Sequence, residues 1–202
     1  MFFKLKTNLI LKAPVYIYYG LKNFYQNHRR YVKSRDDNQL LGKIVTTVNS
    51  ECSPYDKNGS AFYAPCGAIA NSLFNDSYQL AYNGAQGISN QITVPVIATG
   101  IAWSTDKNIK FQNPPNWDNT VRPKNWNRDV WQLSNDSDNN GYKNEDLIVW
   151  MRTAALPTFR KFHRRVNHAS SPFNDGLPAG NYTVYIDYSM FILVNFLDNT
   201  CF

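Results

Sequence analysis

The sequence lacks the features that mark a zinc centre, a membrane span or a secretory signal. Its three cysteines form no CxxC pair and have no accompanying histidine motif, which argues against a structural zinc site. The best apolar run, residues 190–194, is followed at once by Asn195, whereas a membrane-spanning helix needs about 20 apolar residues. Near the N-terminus, Lys4, Lys6 and Lys12 leave a hydrophobic run too short for the core of an ordinary signal peptide.

Motifs of catalysis are also missing. No GxSxG, Walker loop or dinucleotide fingerprint occurs, so nothing indicates nucleophilic catalysis or nucleotide binding. Adjacent acids such as Asp36 and Asp37 point to opposite faces of an extended strand, which suits turns and caps better than an acid–base pair. Residues 136–141 match the first half of a calcium loop, but Leu147 stands where a bidentate glutamate is needed, which favours an ordinary turn. The sequence therefore predicts no enzyme, no cofactor and no metal site.

The composition is that of a folded protein with a basic surface. Of the 202 residues, 43% are apolar, 15% are aromatic and 18% are charged, which suits one domain with a real core. The 21 basic and 15 acidic residues leave a net charge of +6, and eight basic residues precede the first acid, Asp36. Such a stretch is compatible with nucleic acid, anionic lipid, an acidic partner or a solvated face.

The pattern of short apolar segments between turns predicts a mainly β fold, an antiparallel sandwich-like domain with a few short helices. Strands are predicted at residues 15–20, 44–48, 91–98, 107–111, 147–151 and 182–188. Short helices or compact turns are predicted at residues 21–31 and 66–74. A further helix is predicted after Pro157, because Phe159, Phe162, His163 and Val166 would form one apolar face.

Two cysteines and four sequons favour an oxidising setting. The turn-rich segment between Cys52 and Cys66 is suited to a small disulfide loop, which would stabilise the fold by about 3 kcal/mol. Cys201 is then left over. N-x-[ST] sequons occur at Asn58, Asn75, Asn135 and Asn181. Chance matches are common in an Asn-rich chain, but together with the cysteine loop they indicate a lumenal domain.

Five stretches carry a resemblance to a known family. They read YYGLKNFYQNHRRYVKSRDD at residues 18–37, APCGAIANSLFND at 64–76, GIAW with TDKN at 100–108, NEDLIVWMRTAALPTFRK at 144–161 and LPAG at 177–180. In order and spacing, from about residue 16 to 188, the chain resembles the ligand-effect modulator 3 family, also called the cell-division-control protein 50 family. Matching stretches of this length are far more specific than a short motif.

The resemblance implies a non-catalytic accessory subunit of type IV P-type ATPases, the phospholipid flippases. Such a subunit helps the catalytic subunit to leave the endoplasmic reticulum and supports its transport cycle. The resemblance further implies a mainly β, N-glycosylated lumenal or extracellular domain, in the membranes of the endoplasmic reticulum, the Golgi and the cell surface. Cys52 and Cys66 match a family disulfide, and Asn75 matches a family sequon. The sequons at Asn58, Asn135 and Asn181 correspond to the family pattern less closely.

The sequence departs from the family at its two ends. The family has a membrane helix on each side of the lumenal domain, and we expect membrane association through the partner or through such helices. We expect a divergent N-terminal arm at residues 1–15, the lumenal domain at 16–188 and a divergent tail at 189–202. One alternative is a truncated member without a flippase role. Another is a basic nucleic-acid-binding protein, but no nucleic-acid module is present and we expect no such partner.

Overall fold

The computed structural model describes residues 1–84 and 91–188. The strands are β1 (Phe2–Thr7), β2 (Leu11–Lys12), β3 (Tyr16–Leu21), β4 (Lys57–Asn58), β5 (Ala61–Tyr63), β6 (Ser77–Gly84), β7 (Ile92–Thr93), β8 (Val96–Ile97), β9 (Thr120–Val121), β10 (Phe159–Val166), β11 (Gly176–Leu177) and β12 (Gly180–Asp187). The helices are α1 (Arg29–Lys33), α2 (Asp37–Leu40), α3 (Ala68–Asn71) and α4 (Glu145–Met151), with single helical turns between them. The prediction of a mainly β fold with a few short helices is confirmed.

The strands form small sheets. Their orders are β1-β12-β6-β7, β3-β10-β8, β11-β2 and β4-β5-β9. Pairing is antiparallel in the first sheet, whereas β5 and β9 are parallel. In the part of the chain that the structure describes, no helix is long and apolar enough to cross a membrane.

The described residues divide into two compact units, of which the first contains residues 1–17, 74–84, 91–97 and 164–188. Its largest sheet has β12 between β1 and β6, and the alternation of β12 turns one set of side chains inward. The core of this unit consists of Val94, Val166, Phe173, Leu177 and Tyr182. Residues 2–7 of the predicted arm form β1, which pairs with β12 along its whole length. The predicted tail and Cys201 lie outside the described residues.

The second unit contains Tyr18–Leu73 and Ala98–His163 and is built around α4. Trp150 is fully buried, and its indole Nε1 donates to the Ile69 carbonyl at 2.7 Å. Trp126 donates in the same way to the Ala70 carbonyl at 2.7 Å. These two bonds join α3 to α4 and to the loop that carries Trp126, because a buried indole N–H must find an acceptor.

Four predicted elements are wrong. Residues 147–151 lie in α4 rather than in a strand. A short apolar run has no period that separates a buried strand from a buried helix, and here Asn144 caps a helix by accepting from the Leu147 amide at 3.1 Å. Residues 159–166 form β10 rather than a helix, since their hydrogen bonds go to neighbouring strands. Residues 107–110 lie in a helical turn, Asp106–Lys110, which is closed by an i,i+4 ion pair, and Phe111 follows it. Residues 44–48 pair with no strand that the structure describes and remain irregular.

The other predicted elements are confirmed in part or in full. The strand at 15–20 is β3, the strand at 182–188 is β12 and the short helix at 66–74 is α3. The segment at 91–98 is divided into β7 and β8 around Pro95, which has no amide hydrogen for a ladder. The helix predicted from residue 21 begins only at Arg29.

Candidate interaction surface

A disulfide joins Cys52 to Cys66, and both residues are buried. Beside it, the Gln39 side chain accepts from the Cys66 amide at 2.8 Å and donates to the Tyr63 carbonyl at 2.8 Å. Gly67 follows with φ +99°, and a Cβ at this position would lie 2.0 Å from the Ser34 carbonyl oxygen. This position therefore needs glycine, both for its backbone conformation and for the close approach of another segment.

The longest family-like stretches of the sequence meet inside the second unit. Gln26 is fully buried; its side chain accepts from the Ala154 amide at 2.9 Å and donates to the Trp150 carbonyl at 3.5 Å. The Phe24 ring lies edge-on to the Trp150 ring, 5.4 Å between centroids. These contacts therefore place parts of both stretches in the framework of the unit.

Glu145, the first residue of α4, anchors the segment that precedes the helical turn. Its carboxylate accepts from the Ile101 amide at 2.7 Å, from the Ala102 amide at 2.9 Å and from the Lys107 ammonium at 2.6 Å. Burial opposes ionisation of Glu145, but Lys107 and the backbone amides outweigh it and hold the pKa of this carboxyl below its usual value. A carboxylate with such partners is a fixed structural anion.

Asp106 provides a second anchor in the same segment. Its carboxylate contacts the Lys110 ammonium and the Arg152 guanidinium, each at 2.8 Å. Burial acts against the charged form, but the two cations still lower the pKa of Asp106. We call residues 101–111 the Trp103 segment; it is held on α4 by Glu145 and tied by Asp106 to the residue after that helix.

The Trp103 segment presents a cationic and aromatic surface. Trp103 is 66% exposed, and the Arg152 guanidinium lies 5.1 Å from its ring centroid, a cation–π contact. The side chains of Lys110 and Arg152 are 65% and 55% exposed, whereas those of their partner Asp106 and of Glu145 are 5% and 3% exposed. The cations thus face outward above buried anions, an arrangement that can bind an apolar group flanked by negative charge.

Lys161 caps the C-terminal end of α4. Its buried ammonium donates to the carbonyls of Val149 at 2.7 Å, Trp150 at 3.2 Å and Arg152 at 2.5 Å. Burial, with a smaller contribution from Arg152, lowers the pKa of Lys161 to about 7. The three carbonyl acceptors oppose this shift, because only the ammonium form has three hydrogens to donate.

The predicted sequons differ in accessibility. Asn58, Asn75 and Asn135 are exposed. Asn181 is half-buried in β12 and donates to the Gly84 carbonyl at 3.4 Å, while Thr183 of the same sequon is buried and accepts from Asn83 at 2.8 Å. Glycosylation at these four positions remains a prediction.

The other candidate groups of the sequence have structural partners. Asp36 is buried and accepts from the amides of Gln39 at 3.0 Å and Asn49 at 2.7 Å. The ring of His163 lies edge-on to Tyr19. Residues 137–139 and 141–143 form single 3-10 turns, and the described residues contain no group of three or more side chains suited to a metal ion.

Sequence reasoning missed the Trp103 surface. The spacing of Asp106 and Lys110, four residues apart, was the one local signal for it. Arg152 is separated from Asp106 by 46 residues, and no sequence period connects positions so distant.

Comparison with known proteins agrees with the stretches that build this unit. A family model described as "LEM3 (ligand-effect modulator 3) family / CDC50 family" matches residues 2–196. The chain is 52% identical to cell cycle control protein 50A of Bos taurus over 187 residues, which are 88% of this chain and 51% of that protein. It is 47% identical to cell cycle control protein 50B of Homo sapiens over 191 residues, 89% of this chain and 54% of that protein.

A plant relative shows the same similarity. The chain is 45% identical to ALA-interacting subunit 3 of Arabidopsis thaliana over 164 residues, which are 80% of this chain and 43% of that protein. The chain thus spans about half the length of the curated relatives it matches. The match of nearly all its residues shows that the chain belongs to the LEM3 (ligand-effect modulator 3) / CDC50 family.

Proposed function

We propose that this chain acts as part of a non-catalytic accessory subunit of a phospholipid-flipping type IV P-type ATPase. It would assist the folding of the catalytic subunit, its exit from the endoplasmic reticulum and lipid translocation. The observation that carries the proposal is membership of the LEM3/CDC50 family over nearly the whole chain. A plant relative is named an ALA-interacting subunit, which supports a role through protein–protein contact.

The chemistry of the buried acids supports a role without catalysis. Glu145 is held ionised by Lys107 and backbone amides, and Asp106 by Lys110 and Arg152. A general acid needs a raised pKa, whereas the pKa values of both groups are lowered. Their geometry serves to hold a surface in place.

The Trp103 surface is the contact that we assign to the catalytic subunit. An exposed tryptophan braced by an arginine is typical of the few residues that dominate an interface. Lys110 and Arg152, which face outward, favour a partner segment that carries acidic groups beside an apolar one. Because the segment is anchored at Glu145 and Asp106, binding would cost little ordering of the backbone.

We further propose a lumenal or extracellular position for this domain. The disulfide between Cys52 and Cys66 is of a kind that persists in oxidising compartments, and three of the sequons are exposed. Glycosylation at Asn58, Asn75 and Asn135, and to a lesser extent at Asn181, belongs to this proposal. Membrane association would come through the partner or through family membrane helices.

The test is capture of type IV catalytic subunits by the tagged protein in cells. We expect the wild-type chain to retain at least one such subunit and Trp103→Ala to weaken retention by about tenfold or more. The matched control is Ile44→Ala, since Ile44 is 64% exposed in the same unit but outside the Trp103 segment. Thermal unfolding of both variants checks that they remain folded.

The outcomes separate the proposed role from the proposed surface. Failure of the wild-type chain to retain any type IV catalytic subunit would contradict the role. If the wild-type chain retains a catalytic subunit, and Trp103→Ala retains as much of it as Ile44→Ala does, the assignment of the Trp103 surface is contradicted and the proposed role stands.

A further inference from the structure

Strand β1 lies at one end of the largest sheet of the first unit, and one of its two edges is open. It pairs with β12, and no other strand of the described residues lies beside it. At its start the Ile186 amide donates to the Met1 carbonyl at 2.8 Å, and the Met1 nitrogen donates to the Ile186 carbonyl at 2.9 Å. Hydrogen-bonded and non-hydrogen-bonded pairs alternate along an antiparallel ladder. The backbone groups that point to the open edge are therefore those of Phe2, Lys4 and Lys6.

The side chains of Phe3 and Leu5 lie on the core face of this sheet. They stand opposite Val184 and Tyr182 of β12, and Tyr182 belongs to the core of the first unit. Phe3 is nevertheless 43% exposed and Leu5 51% exposed. The apolar face of the sheet thus continues onto β1, where the described residues leave it largely uncovered.

The other face of β1 is basic. Lys4 and Lys6 are both exposed, and their partners in β12, Thr183 and Asn181, are uncharged. None of the ion pairs found in residues 1–84 and 91–188 includes either lysine. Opposite charges on adjacent strands attract each other across a sheet. The two ammonium groups therefore favour carboxylates at the matching positions of an added strand.

We propose that β1 is a docking edge for an extended segment of a partner protein, a segment in which acidic and apolar side chains alternate. The segment would add a strand to the sheet, and its backbone would bond with the groups at the open edge. Its carboxylates would lie beside Lys4 and Lys6, and its apolar side chains would cover Phe3 and Leu5. This edge lies in the first unit, and the proposal does not rest on the proposed function or on the Trp103 surface.

Two other occupants fit the edge less well. Antiparallel pairing of the whole strand with a second copy would set Lys4 against Lys4, and like charges directly opposite each other destabilise a sheet. An anionic bilayer suits exposed apolar groups beside lysines, but its hydrocarbon region would leave the open backbone groups without hydrogen-bond partners. An acidic strand satisfies the backbone, the charges and the apolar side chains together.

The first experiment is amide hydrogen exchange of the wild-type chain, followed by NMR. In the dilute free protein we expect protection at Phe3 and Leu5, whose amides bond with β12, and little protection at Lys4 and Lys6. Protected amides at Lys4 and Lys6 would overturn the proposal, because the edge would then already be occupied. Protection that rises with protein concentration would assign the edge to a second copy and overturn it too.

The second experiment adds a synthetic peptide of the length of β1, in which glutamate alternates with valine. We expect protection at the Lys4 and Lys6 amides to rise by about tenfold on saturation, the size of one hydrogen bond gained, while Phe3 and Leu5 change little. A matched peptide with lysine in place of glutamate should bind about tenfold more weakly, because the cross-strand charge pairs become repulsive.

Reversal of the charges in β1 tests the assignment of the two lysines. In the double variant Lys4→Glu with Lys6→Glu, the lysine peptide should bind more tightly than the glutamate peptide. Lys12→Glu is the matched control, since Lys12 is exposed in the same unit but lies in β2, and it should keep the wild-type preference. Thermal unfolding checks that both variants remain folded.

Three results would overturn the docking edge. One is a wild-type chain that binds neither peptide, or binds both equally. Another is tight binding of the glutamate peptide without added protection at Lys4 and Lys6, which would place the peptide elsewhere. The third is binding of phosphatidylserine vesicles but not of the glutamate peptide, which would assign the edge to a bilayer. If the double variant is unfolded, the comparison of the two peptides on the wild type still decides the proposal.

Discussion

Glu145 illustrates how a single buried charge can organise a segment of the chain. The carboxylate would be costly to bury alone, but two backbone amides and the Lys107 ammonium compensate it. These donors keep the pKa of Glu145 below its usual value although burial works in the opposite direction. The residue therefore stabilises the Trp103 segment only while it is ionised.

We predict that Glu145→Gln lowers the free energy of unfolding by about 2 kcal/mol at pH 7, because charge-assisted hydrogen bonds are lost in a buried site. Chemical denaturation measures the change. The folded-state pKa is depressed, so this stabilisation is present above the unfolded-state pKa of about 4 and disappears as the pH falls through the folded-state pKa. The wild type and the variant should therefore converge in stability at strongly acidic pH.

The matched control for this prediction is Glu51→Gln. Glu51 pairs with Lys33 at 3.7 Å, and both side chains are about half exposed. Exposed pairs contribute at most about 1 kcal/mol, so we expect little change. Similar losses in the two variants would argue that burial of Glu145 is not the reason for its effect.

At the scale of elements, α4 depends on capping at its two ends. Asn144 accepts from the Leu147 amide at the first turn, and Lys161 donates to three carbonyls at the last turn. A helix of seven residues has few internal hydrogen bonds, so its end groups matter more than in a long helix. The second cap comes from β10, which links the stability of the helix to that of the strand.

We predict that Lys161→Met destabilises the fold by about 2–3 kcal/mol, because buried carbonyls of α4 lose their donor. The pKa of Lys161 is lowered to about 7 in the folded state, so between about pH 7 and 10 the unfolded state binds more protons. Wild-type stability should therefore rise relative to the variant over this range. Unfolding at a series of pH values tests both statements.

Lys43→Met provides the comparison for Lys161→Met. Lys43 is exposed, and its ammonium donates to the Asn38 side chain at 2.9 Å. We expect a change of about 0.5 kcal/mol or less. A loss of stability in Lys43→Met equal to that in Lys161→Met would show that capping of α4 is not responsible.

At the scale of the whole molecule, the stability of this chain depends on its redox environment. The disulfide closes a loop with a sequence separation of 14, and this loop contains β4 and β5. A small, loop-rich fold gains from such a cross-link because the unfolded chain has fewer conformations. The disulfide therefore contributes to the stability of the second unit only where the two cysteines are oxidised.

We predict that replacing both Cys52 and Cys66 by serine lowers the free energy of unfolding by about 3 kcal/mol. Chemical denaturation with and without a reducing agent measures this. Reduction should destabilise the wild type by a similar amount and leave the double variant unchanged. A wild type that is insensitive to reduction would contradict the prediction.

Local patterns in the sequence predicted part of this architecture. The alternation in residues 182–188 predicted β12, and the short helix at 66–74 corresponds to α3. The turn-rich segment between Cys52 and Cys66 indicated a small disulfide loop. The long stretches that resemble the LEM3/CDC50 family predicted that the chain belongs to it. These features depend on neighbours in the chain, so the sequence alone determined them.

Only the tertiary structure decided the elements and contacts that depend on distant residues. Apolar residues 147–151 suit a buried strand or a buried helix equally, and the Asn144 cap together with the packing of Leu147, Ile148, Trp150 and Met151 in the core selects α4. Residues 159–166 have an apolar face at helical spacing, but pairing with β3 and β8 makes them a strand. The ion pair between Asp106 and Arg152 and the hydrogen bond between Val15 and His168 join positions 46 and 153 residues apart, and such contacts exist only after folding has removed water from between them.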